Sequence, residues 1–284
     1  MNGKDLREHL RAGKRAYGFC VEGFGHPKLP RVLARCGLDF VFMDNEHNPL
    51  NRETCAWAAQ AYAANNVAPL LRIPEPSAIL AAMALDAGAH GVIAPYVETV
   101  EQVRALVGAT KYRPLKGDAL ARLLDNPRAF DSDTLAYLER FNTNSVLVVM
   151  IESAAGVARL PELLAVPGVD VILVGPHDFS INYAIPEQFD HPVFQAQLRA
   201  TIRVCSEHQV AVGVHHLAGT DARERRWIAW GCRFIVHKSD TAFIVEAIHD
   251  QIGGLRESLG DGARDRDLPF PFNSTASTET FDSL

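Results

Sequence analysis

The amino-acid sequence predicts a (β/α)8 TIM barrel, the α/β fold in which eight parallel strands close into a sheet surrounded by helices. Short apolar runs rich in strand-forming residues recur eight times along the 284 residues, and stretches with helical periodicity separate them. Eight such alternations over roughly 250 residues are typical of this barrel. A doubly wound open sheet is the competing fold. It is disfavoured because GFGHPKLP, the stretch after the first strand, lacks the GxGxxG phosphate turn of that fold.

The predicted strands are short and nearly continuous in apolar residues, as expected of strands that are buried on both faces. They are residues 16–23, 39–44, 68–73, 91–96, 145–153, 170–176, 211–216 and 232–239. Helical periodicity is clearest over residues 52–66, 76–88 and 191–209. The predicted helix ends carry left-handed glycines and a capping box, at Gly37, Gly88, Gly168 and Gly231 and at Thr99 with Gln102.

The domain organisation follows from the alternation of predicted strands and helices. We assign residues 1–260 to a single barrel domain and residues 261–284 to a polar C-terminal tail. The tail is rich in Ser, Thr, Asp and Pro, which indicates either disorder or an arm that docks on a neighbouring subunit. Residues 112–144 do not fit this alternation. They are predicted to be a long βα connection, where barrel enzymes tend to add function.

The composition excludes several classes of partner. The net charge is −6 and there is no basic stripe with interleaved aromatic residues, so nucleic acid is not expected to bind. No apolar run reaches the roughly 18 residues of a membrane span, and the first residues form an amphipathic helix without the apolar core of a secretory signal. The five scattered cysteines form no CxxC pair, so we expect reduced thiols and a cytoplasmic protein.

Ionisable residues follow four of the predicted strands. Strand 2 ends in Asp44, Glu46 and His47, and strands 3, 5 and 6 end at Arg72, Glu152 and Asp178. A single ionisable residue at a strand end is more often a helix cap or a surface charge. A barrel, however, brings the carboxyl ends of all its strands to one rim, where its active site lies. We therefore expect these side chains to share a pocket.

The residue types in this cluster suggest specific roles. Two carboxylates on adjacent strands, Glu152 and Asp178, suit a hard divalent cation such as Mg²⁺ or Mn²⁺; alternatively, each caps the helix after its strand. Arg72 offers a planar fork for a carboxylate or enolate oxygen, or forms an ion pair with one of the acids. Asp44 and His47 make an acid–base pair in which the carboxylate orients the imidazole. Together these groups describe a site that stabilises an enolate while moving a proton.

The segments DFVFMDNEH, LLRIPEPSAIL, MIES and VDVILVGPHDFS resemble the HpcH/HpaI family of metal-dependent (class II) pyruvate aldolases, over roughly residues 5–255. The resemblance implies a (β/α)8 barrel of the phosphoenolpyruvate/pyruvate type and a homo-oligomer, usually a hexamer built as a trimer of dimers that swap their last helix. It also implies reversible cleavage of a 4-hydroxy-2-oxo acid to pyruvate and an aldehyde through a metal-stabilised enolate, with Mg²⁺, Mn²⁺ or Co²⁺ as the metal.

The resemblance assigns the family's roles to residues of this chain. The metal carboxylates correspond to Glu152 and Asp178, the substrate-orienting arginine to Arg72 and the acid–base pair to His47 and Asp44. The turn whose backbone N–H groups receive the pyruvate carboxylate corresponds to Gly175, Pro176, His177 and Asp178.

Three departures from the family pattern leave the second substrate open. Met150 stands where many members have Gln, and His177 stands where a small residue is usual. After residue 112 the family's GxRG is replaced by RPLKGDALARLL, so that either Lys116 replaces the arginine or this loop receives a different second substrate.

Three other functions remain as alternatives. Lys238, near the end of strand 8, would form a Schiff base in a class I aldolase. A citrate-type lyase or synthase would act on oxaloacetate and an acyl thioester, although no basic groove for a CoA phosphate is evident. A barrel that only binds a 2-oxo acid is the third. Neighbours on a strand point to opposite faces, so His215 and His216 either offer one imidazole to the site, or one packs and the other hydrogen-bonds within the rim.

Overall fold

The computed structural model describes residues 1–23, 26, 28–48, 50–126, 128, 130–216 and 221–262, with only the backbone of residues 216 and 221. Its strands form a closed parallel barrel in chain order, which confirms the predicted fold. The strands are β1 Ala16–Val21, β2 Phe40–Asp44, β3 Ala68–Arg72, β4 Gly91–Ala94, β5 Val146–Ile151, β6 Val171–Val174, β7 Ala211–His216 and β8 Phe234–Ser239. The tail from residue 263, for which disorder or a docking arm was predicted, lies outside the described residues.

The described helices surround the barrel. They are α1 Gly3–Arg11, α2 Leu29–Leu33, α3 Arg52–Ala64, α4 Ala78–Asp86, α5 Val100–Lys111, α6 Gly117–Asp125, α7 Ser132–Phe141, α8 Ala154–Leu164, α9 Pro176–Asn182, α10 Pro192–Glu207, α11 Asp221–Trp230 and α12 Asp240–Leu259. The four predicted helix-end glycines all have positive φ, and Thr99 forms the predicted capping box with Gln102. None of the described helices is long and apolar enough to cross a membrane.

Two hydrophobic layers explain why the strands are apolar on both faces. Alternate strand residues fill the barrel interior, where the rings of Phe40 and Phe234 stack 4.1 Å apart. Leu6 and Leu10 of α1 pack against this interior layer. The other strand residues pack against the surrounding helices in a second layer. A polar residue is therefore tolerated on a strand mainly at its end, which leaves the rim as the place for chemistry.

The segment 112–144 is not the βα connection that we predicted. It follows α5 and leads into β5, so it begins and ends at the N-terminal end of the barrel. Lys111 donates to the backbone oxygen of Ser145 at 2.5 Å, which holds the two ends together. Helix α6 runs back along α5, with Arg104 paired to Asp125. The prediction was wrong because α5 already connects the carboxyl end of β4 to the opposite end of the barrel, and residues 112–144 come after α5. Lys116, at the start of α6, therefore lies at the end of the barrel opposite to the rim.

Candidate active site at the carboxyl ends of the strands

Asp44 and Arg72 form the centre of the site. They end β2 and β3 and are direct partners in the register of the sheet. Both side chains are buried, and Arg72 Nε donates to Asp44 Oδ1 at 2.7 Å. The other oxygen of Asp44, Oδ2, accepts from Asn48 Nδ2 at 2.7 Å. Burial would raise the pKa of Asp44, but the hydrogen bond and charge of Arg72 hold that pKa below its usual value.

Glu46 is a member of the site to which the sequence analysis gave no role. Its Oε2 lies 2.9 Å from Arg72 Nη1, so the guanidinium is held by two carboxylates. The guanidinium carbon also lies 5.0 Å from the centre of the Phe42 ring, a distance at which cation–π attraction operates. The sequence did contain a signal for Glu46, since it stands between Asp44 and His47 in DNEH.

His47 does not have the environment that we predicted. Its side chain is 68% exposed, and its Nε2 lies 3.8 Å from Glu46 Oε2. The carboxylate of Asp44 is instead occupied by Arg72 and Asn48. Asp44 is the last residue of a strand and faces the barrel interior, whereas His47 lies in the loop beyond it, so their pairing remains a prediction. The structure thus gives His47 access to solvent protons, and its acid–base role remains a prediction.

Glu152 is buried in close contact with its neighbours. It follows β5 and accepts the backbone N–H of Tyr96 at 2.9 Å. A Cβ built on Gly175 would lie 2.2 Å from Glu152 Oε1, so any larger residue at position 175 would displace this carboxylate. The helix-cap alternative does not hold for Glu152, because the side chain of Ser153 caps α8. Nor does Asp178 cap α9: it lies in the first turn, after Gly175 at the N-cap.

The charges at the rim are unbalanced. Burial raises the pKa of Glu152 to about 7; the N–H of Tyr96 opposes the shift and the charges of Asp178 and Glu46 add to it. Burial likewise raises the pKa of Glu46, with Arg72 opposing and Asp178 among the contributing charges. Four carboxylates therefore share a small volume with Arg72 and an exposed histidine. Either a proton or a bound cation would relieve the excess negative charge at such a site.

The donor set fits a hard divalent cation. In the described part of the chain no three His, Cys, Asp or Glu side chains converge as a ready-made ligand set. Glu152 and Asp178 alone would supply two oxygen donors, which leaves coordination positions for water and substrate, as Mg²⁺ sites usually do. The buried carboxylate over Gly175, with its raised pKa, is the observation that supports this fit.

The remaining predicted positions lie around this centre. Gly175 to Asp178 form the start of α9, as the predicted turn requires, and the exposed His177 places Nδ1 3.2 Å from Glu187 Oε1. Met150 packs in the barrel interior. His215 also faces inward, with its ring 4.8 Å from that of Phe42; the side chain of His216 lies outside the described residues.

Tyr96 and Lys238 complete the rim. Besides its backbone contact with Glu152, Tyr96 accepts a hydrogen bond from Asn182 Nδ2 on its hydroxyl at 3.0 Å; the sequence carried no signal for this residue. Lys238 Nζ lies 2.8 Å from the Glu246 carboxylate of α12. The amine is occupied by this carboxylate, and the Schiff-base alternative loses support.

The chain is similar to known proteins along most of its length. The family model for HpcH/HpaI aldolase/citrate lyase matches residues 20–247. A hydroxypyruvate/pyruvate aldolase of Delftia acidovorans is 31% identical over 247 residues, which cover 87% of this chain and 90% of that protein. An HpcH/HpaI aldolase/citrate lyase family protein from Burkholderia cenocepacia superposes with a TM-score of 0.75 at 27% identity, over 89% of this chain and 99% of that one. The citrate synthase SbnG superposes with a TM-score of 0.74 at 25% identity, over 90% of this chain and 99% of that one.

Proposed function

Since the chain belongs to the HpcH/HpaI aldolase/citrate lyase family and is an aldehyde-lyase, we propose that it reversibly cleaves a 4-hydroxy-2-oxo acid to pyruvate and an aldehyde at the rim described above. The observation that carries this proposal is the arrangement of Arg72, held by two carboxylates, beside the carboxylates of Glu152 and Asp178. An arginine next to a cation site is suited to a substrate that carries a carboxylate beside a carbonyl group.

The family depends on a divalent metal in general, and in this chain we assign the metal to Glu152 and Asp178. Mg²⁺ and Mn²⁺ are the proposed ions, with Co²⁺ as a third candidate, because both ligands are carboxylate oxygens. When bound there, the cation would polarise the 2-oxo group and stabilise the negative charge that develops on its oxygen.

The chain's own residues would bind the substrate and move the proton. Arg72 retains N–H groups beyond those given to Asp44 and Glu46, and these would hold the substrate oxygens. The backbone at Gly175–Asp178 would receive the carboxylate. In cleavage, His47 would take the proton of the C4 hydroxyl as the C3–C4 bond breaks. The bond's electron pair would pass to the C2–C3 enolate, and protonation of C3 would give the methyl group of pyruvate.

The proposed function is tested by exchange of the pyruvate methyl protons in deuterated water, followed by NMR with added Mg²⁺ or Mn²⁺ and again with a chelator. We expect exchange that requires the metal. Exchange that survives the chelator and disappears in Lys238→Met would show that the enzyme acts through a Schiff base at Lys238 and not through a metal. Absence of exchange under both conditions would contradict pyruvate as the donor, and the same assay with oxaloacetate and an acyl thioester would then test the citrate-type alternative.

We also propose that the protein is a homo-oligomer, a hexamer built as a trimer of dimers, and that it is cytoplasmic. Helix α12 supports the first proposal, because beyond Ala242 it exposes a stripe of large apolar side chains that includes Ile248, Ile252 and Leu255. Contiguous apolar surface of this kind marks an interface. The five cysteines, all free, support the second proposal.

The double substitution Ile248→Asp/Ile252→Asp is expected to dissociate the oligomer, because two charges would be buried without partners at the contact. Molar mass by light scattering at micromolar concentration measures the effect. Glu257→Lys, a charge changed on the opposite face of the same helix, is the matched control and should leave the mass unchanged. A wild-type protein that is monomeric in this measurement would contradict the proposal.

A further inference from the structure

One oxygen of Glu46 connects two residues to which the proposed mechanism gives different tasks. Oε2 lies 2.9 Å from Arg72 Nη1 and 3.8 Å from His47 Nε2. Arg72 would bind the substrate and His47 would carry the proton. The Glu46 side chain is mostly buried, at 22% exposure, whereas that of His47 is mostly in solvent. Glu46 is therefore far more constrained than His47 and connects it to the buried Arg72.

The contacts around Glu46 close into a ring. Arg72 Nε donates to Asp44 Oδ1, and the same oxygen accepts the backbone N–H of Glu46 at 3.0 Å. The side chain of Glu46 then returns to Arg72 through Nη1. The guanidinium is hydrogen-bonded at Nε and ion-paired at Nη1, so two contacts orient its plane, whereas Asp44 alone would hold it at Nε and leave the far end free to swing. The closed ring thus defines the direction in which the unused N–H groups of Arg72 point.

We infer that Glu46 is a positioning residue of the active site, which fixes the Arg72 guanidinium against the 2-oxo acid and keeps the His47 imidazole beside it. The inference rests on the proposed function for the identity of the substrate. A displacement of about 1 Å of a substrate-binding group costs on the order of 10²-fold in rate. Glu46 therefore acts on turnover through Arg72 and His47, without itself touching the reacting atoms.

Two simpler roles for Glu46 make different predictions. As a structural ion pair, it would change the free energy of unfolding and leave kcat intact. As a metal ligand, its loss would weaken Mn²⁺ binding. The test is therefore Glu46→Gln, which keeps an oxygen that can accept from Arg72 and removes the charge. The control is Glu53→Gln, an exposed carboxylate on α3 that pairs with Trp57 outside the site.

For Glu46→Gln we expect kcat of the aldol reaction to fall by about 10–100-fold, with KM for pyruvate and Mn²⁺ affinity, measured by electron paramagnetic resonance, each within about threefold of wild type. In an Arg72→Lys background the same substitution should reduce the rate by less than about twofold, because the group that Glu46 positions is already gone. A normal kcat in Glu46→Gln, an effect that is fully additive with Arg72→Lys, or a loss confined to Mn²⁺ binding would each overturn the inference.

A crystal structure of Glu46→Gln tests the positioning directly and does not depend on turnover. The Arg72 guanidinium should adopt more than one orientation while Asp44 and the backbone of residues 44–48 stay in place. A guanidinium that keeps the wild-type orientation would refute the inference even if kcat of the variant were reduced. A wild-type enzyme that fails to exchange pyruvate protons would refute the proposed function instead, and the crystallographic test of Glu46 would still stand.

Discussion

Replacing Glu152 by Gln is expected to reduce metal-dependent exchange of the pyruvate methyl protons by roughly 10³-fold or more. The amide has nearly the shape of the carboxylate, so it still fits over Gly175 and still accepts the N–H of Tyr96. What it lacks is the negative charge that would hold the cation together with Asp178. The loss should therefore appear in activity and in metal binding, with little change in stability.

The measurement combines the NMR exchange rate with Mn²⁺ affinity by electron paramagnetic resonance. Glu162→Gln, which removes an exposed carboxylate from α8, is the matched control and should behave as wild type. Wild-type exchange in Glu152→Gln would exclude Glu152 as a metal ligand. Loss of exchange with unchanged Mn²⁺ affinity would give Glu152 a role in proton transfer instead.

Replacing Arg72 by Met is expected to have the largest effect on stability, a loss of about 3–5 kcal/mol in the free energy of unfolding. The substitution removes the partner of Asp44 and Glu46 and leaves both carboxylates in or near the barrel interior. It also removes the proposed substrate-binding group, so activity should be lost as well. Urea denaturation measures the first effect, and pyruvate proton exchange measures the second.

An exposed ion pair provides the contrast for this prediction. Arg104→Met breaks the contact with Asp125, where both side chains reach solvent, and should cost less than about 1 kcal/mol. The double variant Asp44→Asn/Arg72→Met should recover part of the stability, because one buried charge is gone, but should not recover activity. If Arg72→Met unfolds at the same urea concentration as Arg104→Met, the carboxylates do not depend on Arg72 for their burial.

The charged residues at the rim could be predicted because a topological rule connects the sequence to their location. Once eight strands are recognised, the barrel brings the residues after β2, β3, β5 and β6 to one end. The rule predicts that four residues lie near one another, but not which of them pair: Asp44, Arg72, Glu152 and Asp178. Pairing requires the register between strands, which places Asp44 opposite Arg72 and leaves His47 in the loop beyond.

The sequence by itself determined the strands, several helix ends and the chemical character of the rim, because these depend on local periodicity, capping and residue type. Only the tertiary structure decided that Glu46 holds Arg72, that the Glu152 carboxylate lies against Gly175, and that residues 112–144 belong to the far end of the barrel. Each of these depends on contacts between segments distant in sequence or on distances of a few tenths of an ångström. The closure of the barrel fixes such distances, and no local pattern in the chain encodes them.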